Sequence, residues 1–119
     1  MSTRAKYKVR VCKGISESFD FCFYKHHDGY PEGAASHFKH ALDLKFTQIH
    51  GLNMGKRLAM IDGFEFIRDH DSPSDTEYRY DICETSDSIY LTAYMGGDTT
   101  WTPFFDGTLQ EFILRYMGG

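Results

Sequence analysis

The sequence predicts an α+β fold, an antiparallel β-sheet with helices packed on one face, in the order ββ-αα-ββ(β)-α. Three observations predict it. Two pairs of segments alternate apolar and polar residues with period two and are joined by short turns. The stretches between and after them repeat apolar residues at three- and four-residue spacing. Nothing reads as a strand-helix-strand crossover, so hairpins alone are expected to build the sheet. With 119 residues, 41% of them hydrophobic, the chain is long enough for one core without disulfide or metal staples and too short for two ordinary domains. Residues 1–119 are therefore read as a single domain.

The first strand is Tyr7 to Lys13, alternating Tyr7, Val9 and Val11 with Lys8, Arg10 and Cys12. The second is Ser18 to Lys25, alternating Phe19, Phe21 and Phe23 with Asp20, Cys22 and Tyr24. A hairpin turning through Lys13 to Glu17 puts both apolar sets on one face if Val11 pairs with Phe19 and Val9 with Phe21. Arg10 then faces Asp20 and Cys22 faces Lys8, which leaves Cys12 and Cys22 about 13 Å apart, beyond disulfide reach.

Asp28-Gly29 is a turn dipeptide and Pro31 suits the first position of a helix, so a helix should open near Pro31, with the apolar positions Ala34, Ala35, Phe38, Ala41 and Leu42 recurring at helical spacing through Leu44. Asn53 could cap a second helix that buries Leu58, Ala59 and Ile61. Gly63 could stop it, but the form running on through Phe66 and Ile67 is preferred. Asp69 to Asp75 is a polar, breaker-rich loop, the segment expected to move most. Tyr78, Tyr80 and Ile82, then Ile89, Leu91 and Ala93, mark a second hairpin closed by Glu84 to Asp87. Thr99 to Phe105 reads as a further strand that Pro103 confines to an edge. Asp106-Gly107-Thr108 introduces a last helix, Leu109 to Met117, with Leu109, Phe112, Ile113 and Tyr116 on one face and Gly118 as its stop.

The formal charge of −4 is divided unevenly. Residues 1–61 carry 10 Lys or Arg against 5 Asp or Glu, and residues 62–119 carry 3 against 12. An acidic surface built from the second half disfavours direct DNA or RNA binding and favours a basic protein partner. The opening residues have no apolar h-region and no window approaches a membrane span, so no membrane association is expected. Three widely spaced cysteines, Cys12, Cys22 and Cys83, fit reduced thiols in a cytoplasm better than a disulfide framework.

Two places could carry function. In the first, Tyr90 and Tyr94 fall on the strand face opposite Ile89, Leu91 and Ala93, beside Arg79 and Asp81, unless Trp101 or the last helix covers them. Tyrosine supplies contact area at low entropic cost, so Asp81, Glu84, Asp87, Tyr90 and Tyr94 form the candidate partner-binding surface. The second is the loop of Tyr24, His26, Asp28, Gly29 and Tyr30, with His37 and His40 at i, i+3 on the following helix. Imidazole and carboxylate could surround a metal there, but no zinc-type spacing is present and no metal or cofactor is assigned. Cys22 and His26 would stand about 13 Å apart in a regular strand, too far to share a proton, so no catalytic residue is assigned either.

The run Tyr24-Lys25-His26-His27-Asp28-Gly29-Tyr30-Pro31 resembles a group of small proteins from phages, prophages and bacterial genomes that share the pattern Y-[KR]-H-x-D-G-Y-P. The ending, Trp101 through Asp106-Gly107-Thr108-Leu109-Gln110-Glu111-Phe112-Ile113, is similar to theirs, and His27 stands where tryptophan is usual. The resemblance implies a phage or mobile-element protein that occupies a site on a host protein, as anti-CRISPR proteins do. The leading expectation is thus a non-enzymatic, cytoplasmic binding protein that inhibits or modulates a host nucleic-acid-handling protein through its acidic surface. The alternative is a small enzyme or a ligand- or metal-binding domain centred on the Tyr24-His26-Asp28-Tyr30 loop. Residues Thr99 to Thr102 could pair between chains and make a homodimer.

Overall fold

The fold is taken from a computed structural model, which describes residues 3–13, 17–43, 54–68, 76–85, 87–96 and 100–117. Its elements are β1 (Ala5–Lys13), β2 (Glu17–Lys25), α1 (Pro31–Asp43), α2 (Met54–Ala59), β3 (Phe64–Phe66), β4 (Tyr78–Glu84), β5 (Ile89–Gly96), β6 (Trp101–Thr108) and α3 (Leu109–Tyr116). The strands form one sheet in the order β3-β2-β1-β4-β5-β6, with all three helices on one face. The α+β class with helices on one side of a sheet is therefore as expected.

The first hairpin has the expected register: Val11 lies opposite Phe19, Val9 opposite Phe21, Arg10 opposite Asp20 and Lys8 opposite Cys22. β4 and β5 form the second hairpin, and β6 is the edge strand, one that runs on to Thr108. Pro103 sits on it opposite Tyr94, beside a register shift at Ala93/Tyr94.

The sheet is mixed, which corrects the wholly antiparallel expectation. β1 and β4 run parallel, with Tyr7 opposite Tyr80 and Val9 opposite Ile82, while the other four pairings are antiparallel. The β1–β2 hairpin covers only one side of β1. The long connection through α1, α2 and β3 returns the chain across the helix face and lays β4 on the other side. Two hairpins thus meet along a seam that neither turn specifies.

A second correction concerns residues 60–67. α2 stops at Ala59, and Met60 and Ile61 close short turns onto the carbonyls of Arg57 (3.2 Å) and Leu58 (3.0 Å). Gly63, at φ +91°, then reverses the chain, and Phe64–Phe66 pairs with β2. Phe64 decides the competition: as a strand residue it is 8% exposed, with its ring 4.9 Å from Tyr7 and 5.9 Å from Phe23. The proposed cap Asn53 and the Asp69–Asp75 loop lie outside the described residues.

The core is a cluster of rings between sheet and helices. Tyr7 stacks on Tyr80 at 5.1 Å across the β1–β4 seam, and Phe38 of α1 and Phe112 of α3 meet Tyr80 edge-on at 6.0 and 5.8 Å. Each ring pair adds to area burial by favourable quadrupole geometry. α1 buries Gly33, Ala34, Ala35, Phe38 and Ala41; its small residues let it lie close to the sheet. The Arg57 guanidinium of α2 donates to the Ala41 carbonyl near the end of α1 (3.0 Å), tying the two helices together. α3 begins with a capping box: the Glu111 N–H donates to Thr108 Oγ1 (3.1 Å) and the Thr108 N–H donates to Glu111 Oε1 (3.0 Å). Among the described residues no helix is long and apolar enough to cross a membrane.

Candidate functional site

Strand alternation sends the polar set of each strand to the face away from the helices. In β1 this set is Lys6, Lys8, Arg10 and Cys12, in β2 Asp20, Cys22 and Tyr24, in β4 Arg79, Asp81 and Cys83, and in β5 Tyr90, Thr92 and Tyr94. No described helix packs on this side. Tyr90 is 48% exposed opposite Cys83, and Tyr94 lies opposite Arg79, whose guanidinium is 5.6 Å from its ring centre. α3 sits on the other face, against Tyr80 and Phe38, and Tyr90 is left exposed and Tyr94 half-buried.

The expected partner-binding residues do not share this face. Asp81 stands on it with Tyr90 and Tyr94, and its carboxylate takes both Arg79 donors, at 2.9 and 3.0 Å. Glu84 projects to the helix side, where Oε1 accepts from the Met54 N–H at the start of α2 (2.8 Å). Asp87 belongs to the β4–β5 turn, in which Thr85 Oγ1 accepts from the N–H groups of Asp87 (3.3 Å) and Ser88 (3.2 Å). The charge asymmetry between the chain halves does not become a spatial one, because basic β1 lies between β2 and β4. Lys8 is set opposite Asp81, and Arg10 forms a two-point pair with Asp20 at 2.9 and 3.2 Å. A shallow groove of about 260 Å³ runs over this seam, lined by Lys8, Arg10, Asp81, Cys83, Thr92 and Tyr94. The face thus has a cationic middle, with Glu65 on β3 and Asp106 on β6 at its two edges.

The Tyr24–Tyr30 loop is built tightly. The Gly29 N–H donates to the Thr3 carbonyl (2.9 Å), and the Gly29 carbonyl accepts from the Tyr80 hydroxyl (2.6 Å), so both backbone groups of this buried glycine are used. Asp28 holds φ +59°, a left-handed conformation in which aspartate is tolerated. A Cβ on Gly33 would collide with the Asp28 carbonyl, so the first turn of α1 needs glycine to seat against the loop. His26 Nδ1 lies 2.8 Å from the Tyr24 hydroxyl and accepts from Arg4 Nε (3.3 Å). A guanidinium can only donate, so the neutral imidazole carries its proton on Nε2.

The loop's side chains diverge. Tyr24 and His26 belong with the helix-free face, whereas Asp28, Tyr30 and His37 line a cleft of about 190 Å³ with Glu32, Gly33 and Ser36. Behind this cleft lie polar groups of which sequence reasoning singled out only His37. The Tyr7 hydroxyl is fully buried and has no hydrogen-bond partner among the described residues; burial first, then Asp28, push its pKa far up. His37 Nε2 is likewise buried without a partner, and burial followed by Lys25 holds the imidazole below its ordinary value. Lys25 is 8% exposed, with its ammonium 5.7 Å from the Phe64 ring centre, while His37 packs edge-on against the same ring at 5.5 Å. Period-two patterning files Tyr7 and Lys25 as strand residues, and only the contact of both with Phe64 of β3 brings them near His37. Among the described residues no group of three or more His, Cys, Asp and Glu could hold a metal ion. No family model matches the chain, and no curated protein and no solved structure matches it.

Proposed function

We propose that the chain is a non-enzymatic protein-binding module that meets its partner through the helix-free face of the sheet. The observation that supports this most is the pair Tyr90 and Tyr94, standing with Thr92 on a face that no described helix covers. The charges around them are held in two-point ion pairs, Arg10 with Asp20 and Arg79 with Asp81, so little side-chain freedom is lost on docking. Aromatic anchors inside a polar rim are the usual anatomy of a recognition surface. The partner class we propose is a nucleic-acid-handling protein whose basic groups meet the rim of the face, where Glu65, Asp106 and Asp87 stand, and not its cationic middle; the net charge of −4 supports it. A phage origin and an anti-CRISPR-like inhibitory role rest on the Tyr24–Pro31 resemblance.

The experiment is an affinity pull-down from bacterial lysate at low and high salt, with wild type, Tyr90→Ala/Tyr94→Ala and a helix-side control, Leu114→Ser. The proposal expects one salt-sensitive protein in near-equal amount with wild type and control, and its loss with the tyrosine variant. Equal recovery by all three overturns the assignment of the face. Binding of a single-stranded oligonucleotide that is lost in the tyrosine variant and in Arg10→Ala overturns the protein partner. Reversing Asp81 or Glu84 is a poor test, since it also breaks the Arg79 pair or the cap of α2.

A second reading, a small-ligand site in the Asp28–His37 cleft, is favoured by the partnerless Tyr7 hydroxyl and His37 Nε2 behind it. A ligand seated there raises the melting temperature of wild type and not that of His37→Phe. A thermal-shift screen without such a hit counts against it.

A further inference from the structure

Cys12 and Cys83 are 71 positions apart in sequence, and the parallel seam brings them together. Cys83 lies opposite Arg10 in the β1–β4 register, so Arg10, Cys12 and Cys83 all project from the helix-free face. The two thiols are in hydrogen-bond contact, both half-buried, and the Arg10 guanidinium lies close enough to both to interact with each. Cys22, opposite Lys8 and 7% exposed, is not part of the pair. We propose that Cys12 and Cys83 form a two-coordinate thiolate site for a soft monovalent metal ion, copper(I) being the biological member of that class.

Three features lead to this ion. Sulfurs that share a hydrogen bond are close enough for one ion to bridge, and thiolates select soft metals. A disulfide fits less well. The register sets Cys12 two residues along from the partner of Cys83, so the Cα atoms stand about 8 Å apart, outside the usual range for an unstrained bridge. Zinc would need two more ligands, and among the described residues no third His, Cys, Asp or Glu joins the pair. A copper(I) bis-thiolate carries one net negative charge, and the Arg10 guanidinium, already paired with Asp20, lies beside both sulfurs. The binding step is two thiols plus Cu(I) giving the anionic bis-thiolate and two protons released to solvent. Copper remains in the +1 state, and no oxidant or reductant is consumed.

The test is an anaerobic titration of the reduced protein with copper(I) against a chromophoric copper(I) chelator, for wild type, Cys12→Ser, Cys83→Ser and Cys22→Ser. The proposal expects wild type and Cys22→Ser to retain one copper per chain, and either other variant to lose at least ten-fold in affinity. A parallel titration with zinc should leave no metal bound after competition. Alkylation mapped by mass spectrometry gives a readout on wild type alone: copper(I) should protect Cys12 and Cys83 from iodoacetamide together. Copper retained equally by Cys12→Ser or Cys83→Ser, none retained by wild type, protection of only one of the two thiols, or zinc held as firmly as copper would each overturn the site.

Discussion

Two tyrosines whose rings stack in the same core offer a matched pair of hydroxyl deletions. Tyr7 and Tyr80 are both fully buried, and their rings stack at 5.1 Å across the β1–β4 seam, so Tyr→Phe at either position conserves shape and ring contacts. The Tyr80 hydroxyl donates to the Gly29 carbonyl at 2.6 Å, whereas the Tyr7 hydroxyl has no partner among the described residues. Tyr80→Phe leaves a buried carbonyl unsatisfied and should cost about 1–3 kcal/mol. Tyr7→Phe removes a polar atom whose desolvation nothing offsets, so it should be neutral or stabilising by about 1 kcal/mol. A chain of 119 residues unfolds with an entropy of about 0.25 kcal/mol/K, so a 2 kcal/mol loss is a drop of about 8 °C in melting temperature. Urea denaturation at neutral pH with unchanged slopes measures both differences. Tyr7→Phe losing as much as Tyr80→Phe would refute the reasoning, because it would mean that the Tyr7 hydroxyl is bonded. A Tyr80→Phe loss below about 0.3 kcal/mol would refute it from the other side, by showing that the anchor between β4 and the loop is idle.

Further outcomes follow from the cap of α3 and from His37. Thr108→Ala should cost about 1 kcal/mol in the same assay, since it leaves the Glu111 N–H without its acceptor. The Thr108 backbone N–H, then its side chain, hold the Glu111 carboxyl below its ordinary value. A depressed acid stabilises above its unfolded pKa and stops doing so as pH falls through the folded one. Glu111→Gln should therefore be less stable than wild type at neutral pH, with the gap closing below the carboxylate range. His37, depressed by burial and then by Lys25, obeys the same sign. Its contribution is complete above the ordinary histidine value of 6.5 and declines as pH drops through that value toward the lower folded one. Between pH 7.5 and 5, wild type should lose more stability than His37→Phe; parallel losses would show that the imidazole is not desolvated as placed.

The elements were legible where their cause is local. Alternation of Tyr7, Val9 and Val11 against Phe19, Phe21 and Phe23 admits one hairpin register, because a one-residue slip would turn every ring to the other face. Pro31 opens α1 and Thr108 with Glu111 opens α3, since both act within a single turn of helix. The extended second helix failed because Phe64 suits either pattern, and burial beside Tyr7 and Phe23 is worth more than another helical turn. For the sites, the placing of Tyr90 and Tyr94 on the face opposite Leu91 and Ala93 followed from period two, whereas which face the last helix covers did not. The separation of Asp81 from Glu84 follows from it too, since residues three apart in a strand point to opposite faces.

Sequence by itself determined the β1, β2, β4 and β5 strands, the first and last helices, the first hairpin register and the loop at Asp28-Gly29, all of them set by interactions within about twenty residues. Only tertiary structure decided which strands became neighbours. A hairpin offers two open edges, and the choice of β1 for β4 depends on where a long crossover and a whole helix layer deliver the chain. That one parallel seam interleaves the basic and acidic halves, stacks Tyr7 on Tyr80 and brings Cys12 against Cys83. None of the three is encoded at a spacing that periodicity can see, because each is a contact between residues more than 70 positions apart.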